Sequence, residues 1–304
     1  MSSERPTTAK AKDTKRSAKA AAKKPTKKMT KKAERESALV NESKPSESNS
    51  WYDHPQYFDM VFRDETANEV AFFDDVFEKY CGGKTKRLYE PGCGSGRLVA
   101  AMAAKGYDLV ALDNNSAMLA YLRKRLARRG LASDLILGDM TTHVCKPRVD
   151  AAMCTFNTFR HLTDAETAEQ HLRAVAASLR KGGVYILGFH CIPLDADPDC
   201  TERWKASHAG TNVSVTLRVV DFQRRKRLER LRVSIKATKP SGKIERMQSE
   251  FSLRLYTPSQ AKALLASVDD VFEIAGIHDF DCDVEIQREI DEDLTDAVFI
   301  LRKR

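Results

Sequence analysis

The chain has 304 residues, 42% hydrophobic and 31% charged, long enough to bury a core without disulfide or metal staples. Its seven cysteines (81, 93, 145, 154, 191, 200 and 282) are odd in number with no Cys-x-x-Cys pair, and no apolar run matches a signal-peptide core or membrane span. This argues against a disulfide scaffold and a membrane partner and for a reducing, cytoplasmic setting. The net charge of +8 lies entirely in residues 1–50, which carry 14 Lys and Arg against 6 Asp and Glu; residues 51–304 hold 37 of each.

Residues 1–50 are Lys, Ala, Ser, Thr and Pro with almost nothing apolar before Leu39 and Val40, and are expected to form a disordered tail. Such an arm either makes weak contacts with nucleic acid or another polyanion, or is a solvated extension. Order is expected from Trp51, through an aromatic-rich segment in which Tyr52, His54 and Tyr57 either cover a ligand or pack. Val70, Phe73, Phe77 and Tyr80 then recur at helical spacing up to Cys81-Gly-Gly.

From Arg87 short apolar strands alternate with helices, which predicts a doubly wound, mostly parallel α/β sheet. Expected strands are Leu88-Tyr89, Asp108–Leu112, Leu135–Leu137, Val149–Phe156 and Val184–Phe189. Helices are expected over Leu98–Ala104, from an Asn115 or Ser116 cap to Gly130, and over Asp164–Arg180, stopped by Gly182-Gly183. Cys191–Gly210 reads as loop. Thr211–Tyr256 then alternates with period two and predicts an antiparallel insert, about 200–256, with a turn at 239–243. Thr257-Pro258-Ser259-Gln260 predicts a capped helix, and Val271–Ile277 and Ala297–Leu301 two last strands. Between these lies an acidic loop, Asp279–Asp296. The ordered part, 51–304, is expected to be one domain.

Glu90, Asp113, Asp139, Asn157 and His190 each follow an apolar run, so all fall at carboxyl ends of strands, where ligands bind on such sheets. The loop Glu90-Pro-Gly-Cys-Gly-Ser-Gly-Arg97 alternates Gly92, Gly94 and Gly96 but has Arg97 where a dinucleotide loop has its third glycine. Glu90 would repel a phosphate and attract an ammonium, so the cofactor should carry a cation here. Asp113 suits a ribose diol.

These motifs resemble the class I S-adenosylmethionine-dependent methyltransferases. The resemblance covers about Trp51 to Arg304 and rests on Glu90-Pro-Gly-Cys-Gly-Ser-Gly, Leu112-Asp-Asn-Asn-Ser-Ala-Met-Leu, Gly138-Asp-Met and Leu179-Arg-Lys-Gly-Gly. It implies S-adenosylmethionine as cofactor, with Glu90 and the glycines holding its methionine part, Asp113 the ribose, and Asp139 with Met140 the adenine. It also implies a seven-stranded sheet whose last strand, Ala297–Leu301, runs antiparallel beside the fifth. Phe156-Asn157-Thr158-Phe159-Arg160-His161 lacks the motifs of DNA adenine and cytosine enzymes and is more similar to small-molecule and N-methyltransferase members, where this segment lines cofactor and acceptor.

Transfer from a sulfonium requires positioning, and a base only for an acceptor that arrives protonated. Arg160 is a candidate for binding an acceptor carboxylate, and His161 and His190 are candidate bases, against structural roles for all three. The spacing of His190, Cys191 and Cys200 matches no zinc pattern, and no metal is expected. A small-molecule acceptor is expected. The alternatives are an RNA or protein substrate anchored by the tail, and a non-catalytic cofactor-binding module.

Overall fold

A computed structural model describes residues 50–304 except Leu194 and Pro198. The expectations for the tail lie outside the described residues. Among the described residues, no helix is long and apolar enough to cross a membrane.

Seven strands form one sheet: β1 (Arg87–Pro91), β2 (Asp108–Asp113), β3 (Asp134–Leu137), β4 (Val149–Cys154), β5 (Leu179–His190), β10 (Phe272–His278) and β11 (Asp296–Lys303), in the order β10-β11-β5-β4-β1-β2-β3. The first five run parallel, and β11 is antiparallel to both β5 and β10. Alternate residues feed two cores. Tyr89, Leu112, Tyr185 and Phe299 face one, and Leu88, Ala111, Ile186 and Ile300 the other. Both faces are therefore buried, as a doubly wound sheet requires.

Helix α1 (Pro55–Phe62) precedes the sheet. Helices α2 (Thr66–Cys81), α3 (Arg97–Ala104) and α4 (Ser116–Arg128) contribute to the second core, and α5 (Ala165–Ser178) and α6 (Pro258–Ala266) to the first. Local sequence sets their ends. Asn115 Oδ1 accepts the N–H groups of Ala117 and Met118 at 2.8 and 3.1 Å, and Asp164 Oδ1 accepts that of Thr167 at 2.8 Å. Thr257 and Gln260 form the capping box, with Pro258 at the first helical position.

The structure departs from expectation at three places. Helix α5 ends at Ser178 rather than Arg180, because β5 starts at Leu179, where it pairs with Val149. Its register then shifts through the Gly182-Gly183 segment, where a Cβ on Gly183 would lie 2.6 Å from the Asp150 carbonyl. Strand β4 ends at Cys154 because Phe156 and Asn157 turn left-handed, at φ 53° and 66°. The stretch read as loop contains β6 (Thr201–His208), which joins β7 (Thr211–Gln223), β8 (Leu228–Thr238) and β9 (Ile244–Arg254) in a four-stranded antiparallel sheet, the insert. Its inner face packs on Trp51 and Tyr57 around Val215, Val233 and Ile235, a third core.

Candidate active site

The glycine loop joins β1 to α3. Gly92, Gly94 and Gly96 all have positive φ, between 53° and 70°, a conformation that needs no strain only without a Cβ. The reasons differ. A Cβ at Gly92 would meet Thr158 Cγ2 at 2.4 Å and one at Gly96 would meet Leu122 Cδ1 at 2.2 Å, whereas nothing lies within 4 Å of one at Gly94. The loop is packed on two sides and open at its middle, where a ligand can approach the backbone.

Asp113, at the end of β2, fixes that loop. Its Oδ2 accepts the Gly94 N–H at 2.7 Å and its Oδ1 the Asn115 N–H at 2.8 Å. An ionised carboxylate has about four acceptor positions, so a diol can still be bound. Burial raises its pKa against these backbone donors. Glu90 is buried, and its Oε2 has no hydrogen-bond partner. Burial pushes its carboxyl up to about 8, although the Arg97 guanidinium pulls it down. Glu90 thus ends β1 with an unsatisfied buried oxygen at the start of the glycine loop, although it is not part of the cavity lining.

Asp139 caps its own turn, Oδ1 accepting from both the N–H and the hydroxyl of Thr141 at 2.8 Å. The Met140 carbonyl accepts the Nδ1–H of His171 at 2.9 Å, and the other ring nitrogen accepts the Tyr185 hydroxyl at 2.7 Å. Burial pushes His171 down to about 4, so the ring is neutral and the tautomer is set. The loop after β3 is thus held from behind by α5 and β5.

Asn157 receives two donors at Oδ1, the His190 backbone N–H at 3.0 Å and Arg160 Nη1 at 3.3 Å. Arg160 is itself buried. Its Nε donates to the Arg254 carbonyl at 2.7 Å, and its Nη2 pairs with Glu229 on β8. The guanidinium expected to reach for an acceptor carboxylate is engaged with the insert and the Asn157 turn, and its burial leaves these partners little competition from water.

A cavity of 1120 Å³ joins these groups to the inner face of the insert. One half is lined by Gly92, Gly94, Asp113, Asp139, Met140 and Asn157, the other by Tyr52, His161, Trp204, Phe251, His190 and Asp296. Pockets for single drug-sized ligands measure roughly 300–1,000 Å³, so this space exceeds that range and has room for a cofactor and a small acceptor together. Eight carboxylate residues line it (Glu65, Asp113, Asp139, Asp164, Asp197, Glu202, Glu229 and Asp296) against two arginines, Arg97 and Arg160, and no lysine. Both arginines are paired, Arg97 with Glu69 and Arg160 with Glu229.

The two candidate bases differ. His161 lies beside Phe251 and Tyr52, whose hydroxyl is 3.0 Å from His161 Nε2. Surrounding protein and the charge of Arg160 push His161 down to about 4, and burial pushes Tyr52 up to about 12. Tyr52 is therefore the donor, and the Nε2 lone pair of His161 is already used. His190 Nδ1 lies 2.5 Å from Asp296 Oδ1, across the β5–β11 pairing that sets the two residues opposite each other.

The structure thus brings Gly92, Gly94, Asp113, Asp139, Met140, Asn157, Arg160, His161 and His190 to one cavity, whereas Glu90 and Gly96 are not part of its lining and Gly96 packs on Leu122. Sequence reasoning missed Arg97 as a wall residue, and Glu229 and Asp296 as partners. Arg97 follows the glycines directly, which was a usable signal. Asp296 lies 106 residues from His190 and Glu229 lies 69 from Arg160, and neither pairing has a local signal.

Residues 89–183 match the methyltransferase-domain family. The glycine/sarcosine N-methyltransferase of Aphanothece halophytica is 24% identical over 159 residues, which cover 51% of this chain and 58% of that protein; the match thus spans little more than half of that relative. An S-adenosylmethionine-dependent methyltransferase structure from Clostridium acetobutylicum superposes with TM-score 0.65 at 15% identity, covering 84% of this chain and 99% of the other. The cofactor-bound amino pentose methyltransferase of Micromonospora echinaspora gives 0.63 at 20% identity, covering 84% and 98%. These two establish the shared fold.

Proposed function

We propose that this chain, whose residues 89–183 match the methyltransferase-domain family, transfers the methyl group of S-adenosylmethionine to the nitrogen of a small-molecule amine. The observation that carries this reading is the charge of the cavity, eight carboxylate residues against two arginines that are already paired. A phosphate-bearing acceptor would be repelled from it, and an ammonium attracted. The aromatic wall of Tyr52, Trp204 and Phe251 suits the body of such a molecule. The similarity to a glycine/sarcosine N-methyltransferase points the same way.

In this reading Glu90 and the glycine loop hold the methionine part of the cofactor, Asp113 the ribose, and Asp139 with Met140 the adenine. The sulfonium supplies an activated methyl group for in-line displacement, so the protein's work is to align the acceptor nitrogen and free its lone pair. An amine arrives protonated at neutral pH. In the His190–Asp296 pair, Nδ1–H donates to the carboxylate and leaves Nε2 to receive that proton, a base oriented by an acid. His161, its acceptor nitrogen engaged by Tyr52, orients the acceptor rather than deprotonating it. Arg160 and Asn157 position the turn that carries His161.

The test is calorimetric titration with S-adenosylmethionine, followed by incubation of protein, methyl-labelled cofactor and a metabolite extract. Asp113→Ala should weaken cofactor binding at least about tenfold, and label should appear on basic small molecules. Unchanged affinity in that variant, or label confined to RNA or protein, would overturn the reading.

A further inference from the structure

The inner face of the insert lines the cavity; the outer face has a different chemistry. Strand alternation places Arg203 and Lys205 of β6, Arg218 of β7, Arg230, Arg232 and Lys236 of β8, and Arg246 of β9 on that outer face, and all seven are exposed. The acids among them are Asp221 and Glu250, which pair with Arg230 and Arg232. The other five cations make no ion pair among the described residues. Residues 51–304 are neutral as a whole, so this is a local excess of one sign where solvated surfaces ordinarily mix both.

The register sharpens the observation. Lys205, Ser214, Lys236 and Arg246 stand in one row across all four strands, and Arg218 lies directly opposite Arg232. Two like-charge pairs, Arg218 with Arg232 and Lys236 with Arg246, therefore face each other across strands, an arrangement that costs stability. An anion lying along the rows removes that repulsion. Adjacent strand positions are about 4.8 Å apart and same-face positions along a strand about 6.8 Å, so the cations stand in rows suited to a chain of charges rather than to a single ion. No aromatic residue stands on this face to stack a base, so contacts would be to phosphates and indifferent to sequence.

We propose that the outer face of the insert is a docking surface for the phosphodiester backbone of a polynucleotide, on the opposite side of the sheet from the acceptor cavity. The polymer is then a tether and not the methyl acceptor, which the acidic cavity excludes.

The test uses the full chain and a fluorescent oligouridylate, with binding followed by anisotropy over a salt series. The variant is Lys205→Gln with Lys236→Gln and Arg246→Gln. Loss of three phosphate contacts should make the slope of log K against log salt shallower by about 2 and weaken binding at low salt, with cofactor affinity unchanged. The variant should melt no lower than the parent, because cross-strand repulsion is relieved, and this separates a lost contact from a lost fold. An unchanged salt slope would overturn the proposal and leave any polyanion binding to the tail. So would concentration-dependent self-association that the triple variant abolishes without altering the slope, since the acidic 279–296 segment of a second copy would then be the occupant.

Discussion

In the proposed reading, Glu90 couples the fold to the ligand. Its pKa without ligand is raised from 4.5 to about 8 by burial, so the folded protein holds a proton that the unfolded chain has lost between these values. Native stability without cofactor therefore falls as pH rises through that window. In that reading the cofactor's ammonium lies against Glu90 and favours the carboxylate, so cofactor binding below about pH 8 should release this proton. Affinity should rise with pH up to about 8, approaching tenfold per unit, and binding enthalpy should depend on the ionisation heat of the buffer. Glu90→Gln should bind more weakly with a flat profile, and a parent protein with a flat profile would show that the ammonium sits elsewhere. His190 gives a second prediction. Replacing it with Gln should lower kcat by about 100-fold or more with little change in cofactor affinity, whereas His161→Asn should act mainly on the acceptor KM; steady-state kinetics distinguishes the two. That Glu90, Asp113 and Asp139 stand at or just after strand ends was legible in the sequence because each follows an apolar run. Which histidine is free to accept a proton was not, since it depends on Tyr52, 109 residues from His161, and on Asp296.

At the level of elements, the Arg160–Glu229 pair ties the short 3-10 turn Thr158–His161 to β8 of the insert. Both side chains are buried, so removing one leaves a charge in a low-dielectric site. Glu229→Ala should destabilise the protein by about 3–5 kcal/mol in denaturant titration, and Arg160→Met with Glu229→Leu by much less. Equal losses in single and double variants would mean that the pair holds the turn by shape rather than by charge compensation. The same region shows where sequence patterning fails. Strands β1, β2 and β4 announce themselves because they are buried on both sheet faces and their runs are mostly apolar, and the edge strand β3 by the run Leu135–Leu137. Strand β6, Thr-Glu-Arg-Trp-Lys-Ala-Ser-His, is an exposed edge with a single large apolar residue, Trp204, so no period-two signal survives. The helix-to-strand change at Ser178 and Leu179 was hidden because β5 begins with polar residues, Arg180 and Lys181, outside the core.

The described residues form a doubly wound sheet flanked by two cores and an insert with a third, and the cavity lies between sheet and insert. The cofactor half is built from the ends of β1 and β2 and the segments after β3 and β4, whereas Trp204, Phe251 and Glu229 all come from the insert. The two halves should therefore separate functionally. The chain leaves the main sheet and returns to it at adjacent points, the Ile192 N–H donating to the Tyr256 carbonyl at 2.7 Å, so the insert can be removed without stretching the scaffold. Replacing residues 201–254 with a short Gly/Ser linker, together with Trp51→Gln, Tyr57→Gln and Arg160→Gln to remove the apolar surface and the charge that pack on it, should leave cofactor affinity within about threefold, under 1 kcal/mol. Methyl transfer should be lost, because the aromatic wall that aligns the acceptor is gone while the proton-accepting pair on β5 and β11 remains. Calorimetry and single-turnover assays on the same preparation separate the two effects. A shortened protein that folds and binds no cofactor would show that the insert closes over both ligands, and one that still methylates would place the acceptor against the sheet alone.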